Sequence, residues 1–237
     1  MTAAVPSVPH EAIDDFAAFG VRAFTTTRAA GSFSTAGAEP VGEVAARWDT
    51  LRRDLGSGGP RLATAAQVHG ARVVVHPPGW EGWLRVDGAD GHAALERGTG
   101  MAVTIADCVP VFIAHPSGAI ALLHSGWRGT VGRIVEQGVQ ALTRRGVPAR
   151  ELHVYLGPSI CGDCYEVSPE VFAQLTGRAV VSPARVDLRG VIADHARAAG
   201  IRHLSTSALC TRCDNGRFFS HRAGDASRQL GVMIADA

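Results

Sequence analysis

The sequence contains no lysine, and all 23 of its basic residues are arginine. This excludes mechanisms that need a lysine amine, such as Schiff-base chemistry and the lysines that bind phosphate in P-loop enzymes and kinases. A phosphate or carboxylate bound by this chain must therefore meet arginine, histidine, backbone N–H groups or a metal.

Long apolar runs and an excess of one charge are also lacking. No apolar run reaches about 18 residues, so the sequence predicts no membrane span, and the N-terminus has no signal-peptide pattern. The formal net charge of +1 argues against a nucleic-acid or anionic-membrane surface. The five cysteines are an odd number, and we expect them to be reduced. These features predict a cytoplasmic location, without nucleic-acid or membrane partners.

The distribution of apolar residues predicts one α+β domain over residues 1–237, in which helices cover a mixed β-sheet core. Residues 1–20 are expected to be a loosely packed N-terminal segment, and residues 77–100 a long loop. Strands are predicted over residues 21–27, 62–69, 73–76, 101–108, 109–115, 119–124, 152–156, 218–219 and 230–234. Helices are predicted over residues 42–55, 130–145, 168–175 and 187–199.

The most apolar stretch, residues 101–129, carries a candidate site. Cys108 and His124 each end an apolar run, as His69 does earlier in the chain. The three residues could hold a catalytic zinc, which keeps one position open for a bound water. Cys108 and His124 could instead be the nucleophile and base of a cysteine hydrolase, with Asp107 or Asp90 orienting the histidine. The spacing alone does not distinguish a zinc site from a cysteine hydrolase.

Two Cys-x-x-Cys pairs, Cys161/Cys164 and Cys210/Cys213, form a second candidate. Such pairs can close a tetrahedral structural zinc site. The long segment between them, with its two predicted helices, is unlike a compact zinc ribbon. The pairs could therefore share a zinc, form disulfides or remain separate thiols.

Several motifs, taken together and in this order, resemble the YfiH laccase-domain family from about Thr25 to the C-terminus. They are Gln67–Gly70 (QVHG), Ala106–Pro110 (ADCVP), His124–Gly129 (HSGWRG), Gly157–Ile160 (GPSI), Cys164–Val167 (CYEV), Cys210–Thr211 and Phe218–Arg222 (FFSHR). The resemblance implies an α+β domain related to the cytotoxic-necrotizing-factor deamidases. It also implies phosphorolysis of adenosine, inosine or methylthioadenosine, with an associated adenosine deaminase activity.

The resemblance further implies a zinc ion held by His69, Cys108 and His124. Copper is the alternative ion, because the family has also been described as copper polyphenol oxidases. Ten histidines are too few for the several copper centres of a multicopper laccase. The expected partners are purine nucleosides and phosphate, and a monomer is favoured.

Further roles are expected for residues in and around these motifs. Cys108 and His124 are expected to be catalytic, and Asp107 or Glu166 could protonate the leaving amine in deamination. Phosphate could be held by Arg28, Arg128 or Arg222. Further substrate contacts are expected from Gln67, Ser125 and His221. Ser125 replaces the alanine usual in this family and is expected to place a hydroxyl beside the metal.

Overall fold

A computed structural model describes residues 7–37, 39–56 and 61–237. Its strands are β1 His10–Ile13, β2 Val21–Thr26, β3 Arg61–Ala66, β4 Val73–Val75, β5 Trp83–Asp87, β6 Gly91–Ala94, β7 Thr99–Ile105, β8 Val109–Ala114, β9 Ile120–Ser125, β10 His153–Leu156, β11 Glu166–Val167, β12 Ala184–Arg185, β13 His203–Thr206 and β14 Gln229–Ala235. Its α-helices are α1 Val41–Leu55, α2 Trp127–Val131, α3 Ile134–Thr143, α4 Pro169–Thr176 and α5 Leu188–Ala198.

Two six-stranded mixed sheets make up most of the structure. The first has the strand order β1-β2-β14-β7-β3-β5, and the second has the order β13-β10-β8-β9-β6-β4. Most neighbours are antiparallel, but β3 runs parallel to both β5 and β7, β10 runs parallel to β13, and β4 runs parallel to β6. The predicted α+β class with mixed pairing is confirmed, with the strands divided between two sheets.

The alternation of side chains along each strand creates three apolar layers. Phe112 and Leu122 of the second sheet pack against Met101 and Val103 of the first. The opposite face of the second sheet packs on α3, α4 and α5, and the opposite face of the first packs on α1. The order of layers is therefore helix, sheet, sheet, helix, and the two sheets share a core.

The helices follow local signals in the sequence. In α1 the apolar residues Val44, Trp48, Leu51 and Leu55 recur at helical spacing and are all buried. Helix α4 begins after Ser168, whose hydroxyl accepts a hydrogen bond from the backbone N–H of Val171. The predicted helices at both positions are confirmed.

The prediction of a loosely packed N-terminal segment is wrong for the described residues from His10 onwards. Strand β1 pairs with β2 along its whole length, and a 3-10 helix follows over Asp14–Phe19. Phe16 is completely buried in the layer between the sheets. A single aromatic anchor in a short segment gives little periodic signal, which explains the error. Residues 1–6 lie outside the described residues.

The predicted loop over residues 77–100 contains β5, β6 and the first residues of β7. Strand β5 is mostly exposed at the edge of its sheet, and its residues from Leu84 to Asp87 do alternate between apolar and polar, but the prolines, glycines and tryptophans around them predicted a loop. Strand β6 is wholly buried and has the sequence Gly-His-Ala-Ala, and a Cβ at Gly91 would lie 2.7 Å from the side chain of Leu123. Strand β6 therefore lacks the alternating pattern by which strands are recognised.

Three further predictions need correction. The predicted 130–145 helix is divided into α2 and α3 by Gly132 and by Arg133, whose φ is +61°. Strand β3 ends at Ala66, before the predicted end at His69. The Phe218–Phe219 pair is no strand, because the side-chain amide of Gln229 binds both the N–H and the C=O of Phe219.

Within the described part of the chain, no helix has the length and apolar character needed to cross a membrane.

Candidate metal centre and active site

Two histidines and a cysteine that are distant in the sequence converge where the two sheets meet. His69 follows β3 of the first sheet, Cys108 lies in the turn from β7 to β8, and His124 lies in β9 of the second sheet. One ligand atom from each lies within 4.8 Å of the others. The rings of His69 and His124 meet edge-on, with centroids 4.8 Å apart. Two imidazoles and a thiol at this separation can bind one tetrahedral ion and leave its fourth position open.

A buried carboxylate fixes the orientation of His124. The Nδ1 of His124 lies 2.9 Å from Oδ1 of Asp90, and both side chains are buried. Because a carboxylate only accepts hydrogen bonds, Nδ1 carries the proton and Nε2 is left to bind a metal. Of the two aspartates considered from the sequence, Asp90 is therefore the one that orients the histidine.

Asp90 also holds His69 in place. Its carboxylate accepts hydrogen bonds from the backbone N–H groups of Val68, His69 and Gly70, at 3.2, 2.9 and 2.7 Å. Burial opposes ionisation of Asp90, but the hydrogen bond from His124 and those from the backbone lower its pKa. The turn it binds holds His69 at φ +59°, a conformation that non-glycine residues rarely adopt. One buried charge thus positions two of the three candidate ligands.

Cys108 and His124 change each other's proton affinity. Burial raises the pKa of the Cys108 thiol, but the charge and hydrogen bond of His124 outweigh it and lower the pKa to about 6. Burial lowers the pKa of His124, but Cys108 and Asp90 raise it to about 9. Both pKa shifts favour a thiolate–imidazolium pair when no metal is bound. A metal ion would displace the imidazolium proton on binding.

Gly126 allows the close approach of the three groups. A Cβ at this position would lie 2.9 Å from Sγ of Cys108 and 3.4 Å from Cδ2 of His69. Any side chain here would push into the space between the sulfur and the imidazole. The donor types, their separation and the free Nε2 of His124 fit a zinc or copper ion.

Two cavities meet at this centre. The larger has a volume of about 800 Å³, and the smaller has a volume of about 260 Å³. Four residues line both cavities: His69, Ala106, Cys108 and His221. A ligand could therefore span the two cavities and pass directly over the candidate metal ligands.

The larger cavity combines aromatic and polar groups. Trp48 and Trp83 line it and stack on each other, with ring centroids 4.9 Å apart at 30°. Thr64, Arg85 and Arg228 also line it. Flat apolar surfaces with a few polar groups suit a planar heterocycle that carries a hydroxylated sugar.

The smaller cavity carries positive charge. Its lining includes Arg128 and Arg222. The guanidinium carbon of Arg128 lies 4.4 Å from the ring centroid of Trp127, and that of Arg222 lies 4.9 Å from the ring centroid of Tyr165. Burial raises the pKa of Tyr165 to about 12, so the phenol remains neutral. Two arginines supported by aromatic rings are groups that can bind an anion such as phosphate.

The structure brings most of the predicted residues to the two cavities. The smaller cavity is lined by two of the candidate ligands, His69 and Cys108, and by Asp107, Arg128, His221 and Arg222, whereas His124 and Gln67 line the larger one. The amide of Gln67 is already bound to β7, where Nε2 donates to the carbonyl of Thr104 and Oε1 accepts from its N–H. Gln67 therefore fixes the strand that leads to Cys108.

Three predicted site residues are not among the described residues that line either cavity. The guanidinium of Arg28 binds Asp225 at 2.7 Å. The hydroxyl of Ser125 is buried 2.9 Å from Oγ1 of Thr130, because successive residues of β9 point to opposite faces. Glu166 is exposed in β11. The structure therefore does not place the Ser125 hydroxyl beside the metal ligands.

Asp107 is tightly bound rather than free to protonate a substrate. One carboxylate oxygen accepts a hydrogen bond from Oγ1 of Thr211 and the other from the backbone N–H of Arg222, both at 2.7 Å. Its backbone has φ +80°. Asp107 thus positions Cys108, the next residue, by fixing the turn before it.

Thr64, Arg85 and Thr211 were not predicted as site residues. Arg85 lies in the segment that was predicted to be a loop, and Thr211 stands in the matched Cys210–Thr211 motif without a predicted role. The hydrogen bond from Thr211 to Asp107 joins parts of the chain that only the fold brings together. The Cys210–Thr211 motif was a signal for Thr211, whereas the sequence offers none for Thr64 or Arg85.

The chain matches known proteins over most of its length. Residues 25–236 match the family described as multi-copper polyphenol oxidoreductase laccase. A protein of Deinococcus radiodurans named purine nucleoside phosphorylase is 34% identical over 207 residues, covering 82% of this chain and 77% of that protein. A protein from an unknown prokaryotic organism, named adenosine deaminase RL5, is 34% identical over 245 residues, covering 90% of each chain.

The fold also matches a solved structure. The crystal structure of the hypothetical protein YfiH of Bacillus licheniformis superposes with a TM-score of 0.87 and covers 97% of each chain. The two sequences are 22% identical, so this likeness concerns the fold alone.

Proposed function

Since the chain belongs to the multi-copper polyphenol oxidoreductase laccase family, the YfiH laccase-domain family, we propose that it is a zinc-dependent purine nucleoside phosphorylase. Relatives that are 34% identical and are named purine nucleoside phosphorylase and adenosine deaminase support a purine-metabolising enzyme of this family. We propose adenosine, inosine and methylthioadenosine as substrates together with phosphate, and deamination of adenosine as an associated activity.

One observation carries the proposal. The candidate metal ligands lie at the junction of an aromatic cavity of nucleoside size and a smaller cavity lined by two arginines. A nucleoside in the larger cavity would place its glycosidic carbon near the junction. A phosphate bound by Arg128 and Arg222 would approach that carbon from the smaller cavity.

In phosphorolysis a phosphate oxygen forms a bond to C1′ while the bond from C1′ to the purine nitrogen breaks. The electron pair leaves with the base, which takes up a proton, and ribose 1-phosphate remains. The two arginines hold and orient the phosphate, and the aromatic walls exclude water that would compete as a nucleophile. In this proposal His221, which lines both cavities, would contact the sugar and the phosphate.

The metal would be held by His69, Cys108 and His124. A zinc ion there would supply a Lewis acid that polarises an oxygen of the substrate or of water. Asp90 keeps the Nε2 of His124 directed at that site. Asp107, bound by Thr211 and Arg222, keeps the Cys108 turn in place.

The experiment is a product assay on purified protein with inosine and with adenosine, each with and without phosphate. Wild type should form ribose 1-phosphate only with phosphate, and His124→Ala should lose turnover together with the zinc held by His69, Cys108 and His124. His203→Ala, which removes an exposed histidine of β13, is the matched control and should retain both. Turnover by a folded His124→Ala protein would contradict the metal-dependent mechanism.

The thiolate–imidazolium pair of Cys108 and His124 supports a second candidate, a cysteine hydrolase or deamidase. Asp90 would complete a Cys-His-Asp arrangement. Activity of that kind would survive chelation and be lost on alkylation of Cys108. A copper polyphenol oxidase, the third candidate, would instead need added copper and O₂.

We further propose that residues 1–237 act as one domain, since the two sheets share a core layer. A cytoplasmic location and a monomer complete the proposal. Light scattering would test the monomer, and fractionation of cells that produce the protein would test the location.

A further inference from the structure

Four cysteines outside the site described above form a second cluster of metal-ligand type. The sulfur atoms of Cys161, Cys164, Cys210 and Cys213 all lie within 4.8 Å of one another. Those of Cys164 and Cys213 are 3.5 Å apart. All five cysteines of the chain are unpaired, so the four are free to act as ligands.

The sheet topology explains how the two distant pairs meet. Strands β10 and β13 are parallel neighbours in the second sheet, so their carboxyl ends lie side by side. Each Cys-x-x-Cys pair follows one of these ends. A further bridge joins Ser159 to Cys210, and the backbone N–H of Thr211 donates to the carbonyl of Ser159. The helices between the pairs pack on the face of the sheet and do not keep the pairs apart.

The separations suit a single ion. At a zinc–sulfur distance of about 2.3 Å, the sulfurs of a tetrahedral site lie about 3.8 Å apart. The observed sulfurs need to move by less than about 1 Å to reach this geometry. An iron–sulfur cluster, with two or more irons between the thiolates, would need wider spacing. A tetrahedral set of four sulfurs is typical of zinc or of a single iron ion.

Backbone groups already support a thiolate within the cluster. The N–H groups of Cys161 and Cys213 donate to Sγ of Cys210, at 3.2 and 3.4 Å. Burial raises the pKa of the Cys210 thiol, but these donors outweigh it and lower the pKa to about 7. Hydrogen bonds from peptide N–H groups stabilise a ligating thiolate in the same way.

We propose that Cys161, Cys164, Cys210 and Cys213 hold one structural zinc ion, separate from the centre formed by His69, Cys108 and His124. Four protein ligands close the coordination sphere, so this ion has no open position for a substrate. Cys210 is buried and Cys213 is exposed, which gives the ion a route in from solvent.

The ion would join two loops that support the active site. Ile160, next to Cys161, donates its backbone N–H to the carbonyl of Asp107. Thr211, next to Cys210, donates its hydroxyl to the Asp107 carboxylate. Both loops therefore meet the residue that precedes Cys108. Loss of the ion would loosen the Cys108 turn without removing any group that contacts substrate.

The alternative to a bound zinc ion is that the four cysteines form disulfides. Cys164 and Cys213 are close enough to pair after a small movement, with an oxidant accepting two electrons and two protons. That bond would leave Cys161 and Cys210 as a second pair. Intact-mass measurement separates the two states, because each disulfide removes two hydrogen atoms and a zinc site removes none from the denatured chain.

The test is zinc content of the full chain, purified under reducing conditions without added metal and measured by elemental analysis. Wild type should hold about two zinc ions, and His124→Ala should hold about one. Cys213→Ser should lose the structural ion and melt at a lower temperature. Cys213→His is the matched control, since three cysteines and one histidine are also a tetrahedral zinc set, and it should keep the ion.

Cobalt substitution of wild type and His124→Ala provides a readout that does not depend on the cysteine variants folding. The His124→Ala protein should show the absorption of a tetrathiolate cobalt site. A folded His124→Ala protein without bound metal, iron in place of zinc, or a wild-type mass showing disulfides would overturn the proposal. None of these outcomes depends on nucleoside turnover, so the proposed function is tested separately.

Discussion

Substitution of Asp90 by asparagine should damage both folding and metal binding, because one carboxylate serves two ligands. Oδ1 accepts from Nδ1 of His124 and from the N–H of His69, and Oδ2 accepts from the N–H groups of Val68 and Gly70. Asparagine has the same shape but replaces one oxygen with an NH₂ group. Two of the four N–H groups that donate to Asp90 would then face the asparagine NH₂ group, which cannot accept a hydrogen bond.

The magnitude follows from the number of bonds lost. Hydrogen bonds to a charged group contribute about 1.5 kcal/mol or more each, so losing two should lower the free energy of unfolding by about 3 kcal/mol. Removing the carboxylate behind a metal-binding histidine should also weaken zinc binding by about 10- to 100-fold. The structure thus predicts two measurable losses from one atom.

Urea unfolding of the chelated proteins measures the first loss, and competition with a chromophoric chelator measures the second. Asp87→Asn is the matched control, because Asp87 is exposed at the end of β5, the strand that precedes Asp90 in the chain. It should change stability by less than about 0.5 kcal/mol. Unchanged unfolding and zinc affinity in Asp90→Asn would refute the assignment of Asp90 as the residue that positions the centre.

Three further substitutions test other parts of the site. Gly126→Ala should displace the Cys108 sulfur and reduce zinc content, since its Cβ would lie 2.9 Å from that atom. Asp225→Asn should lower the free energy of unfolding by about 2 kcal/mol by removing a charged acceptor. Burial opposes its ionisation, but bonds from Arg28 and others lower the pKa of Asp225. Its contribution is therefore present above pH ~4 and lost as pH falls through the folded-state pKa, so urea curves of wild type and variant should converge in acid. Ser125→Ala should cost about 1 kcal/mol of stability and leave turnover unchanged, because the hydroxyl points away from the cavities.

Each of these has a control or a contrary result. Gly42→Ala, whose Cβ would meet nothing within 4 Å, should keep its zinc, and full zinc content in Gly126→Ala would contradict the close-approach argument. Asp194→Asn removes a carboxylate with 78% side-chain exposure and should not alter acid stability. A large loss of turnover in Ser125→Ala would place that hydroxyl in the reaction after all.

Local patterns in the sequence predicted the elements whose side chains alternate or recur clearly. Helix α1 and the β8–β9 hairpin were found in this way. The edge strand β5 and the buried strand β6 were missed, because the prolines, glycines and tryptophans of residues 77–100 predicted a loop. The two buried phenylalanines at 218–219 were wrongly predicted to form a strand. The side-chain amide of Gln229 binds the N–H and C=O groups of Phe219 that a neighbouring strand would otherwise bind.

The site was predictable as a set of ligands but not as a geometry. The matched motifs named His69, Cys108 and His124, and Asp90 entered only as one of two possible orienting residues. Its contacts with two ligands depend on the pairing of β6 with β9. The four clustered cysteines likewise depend on β10 and β13 being parallel neighbours. Spacing in the sequence carries no information about such pairings.

The opposite case is Ser125, which lies next to a ligand in the sequence and away from it in space. The alternation of a β-strand was sufficient to predict this, because His124 already faces the site. Two residues that are adjacent in a motif therefore do not face the same site when the motif lies in an extended strand.

Zinc titration of the chelated protein tests the central claim most directly. Ribose 1-phosphate formation from inosine and phosphate is measured at each step, beside the His124→Ala protein. We predict that the rate rises with zinc, levels off when the His69, Cys108 and His124 site is filled, and stays at background in the variant. Full activity before zinc is added, or none at full occupancy of that site, would contradict the account.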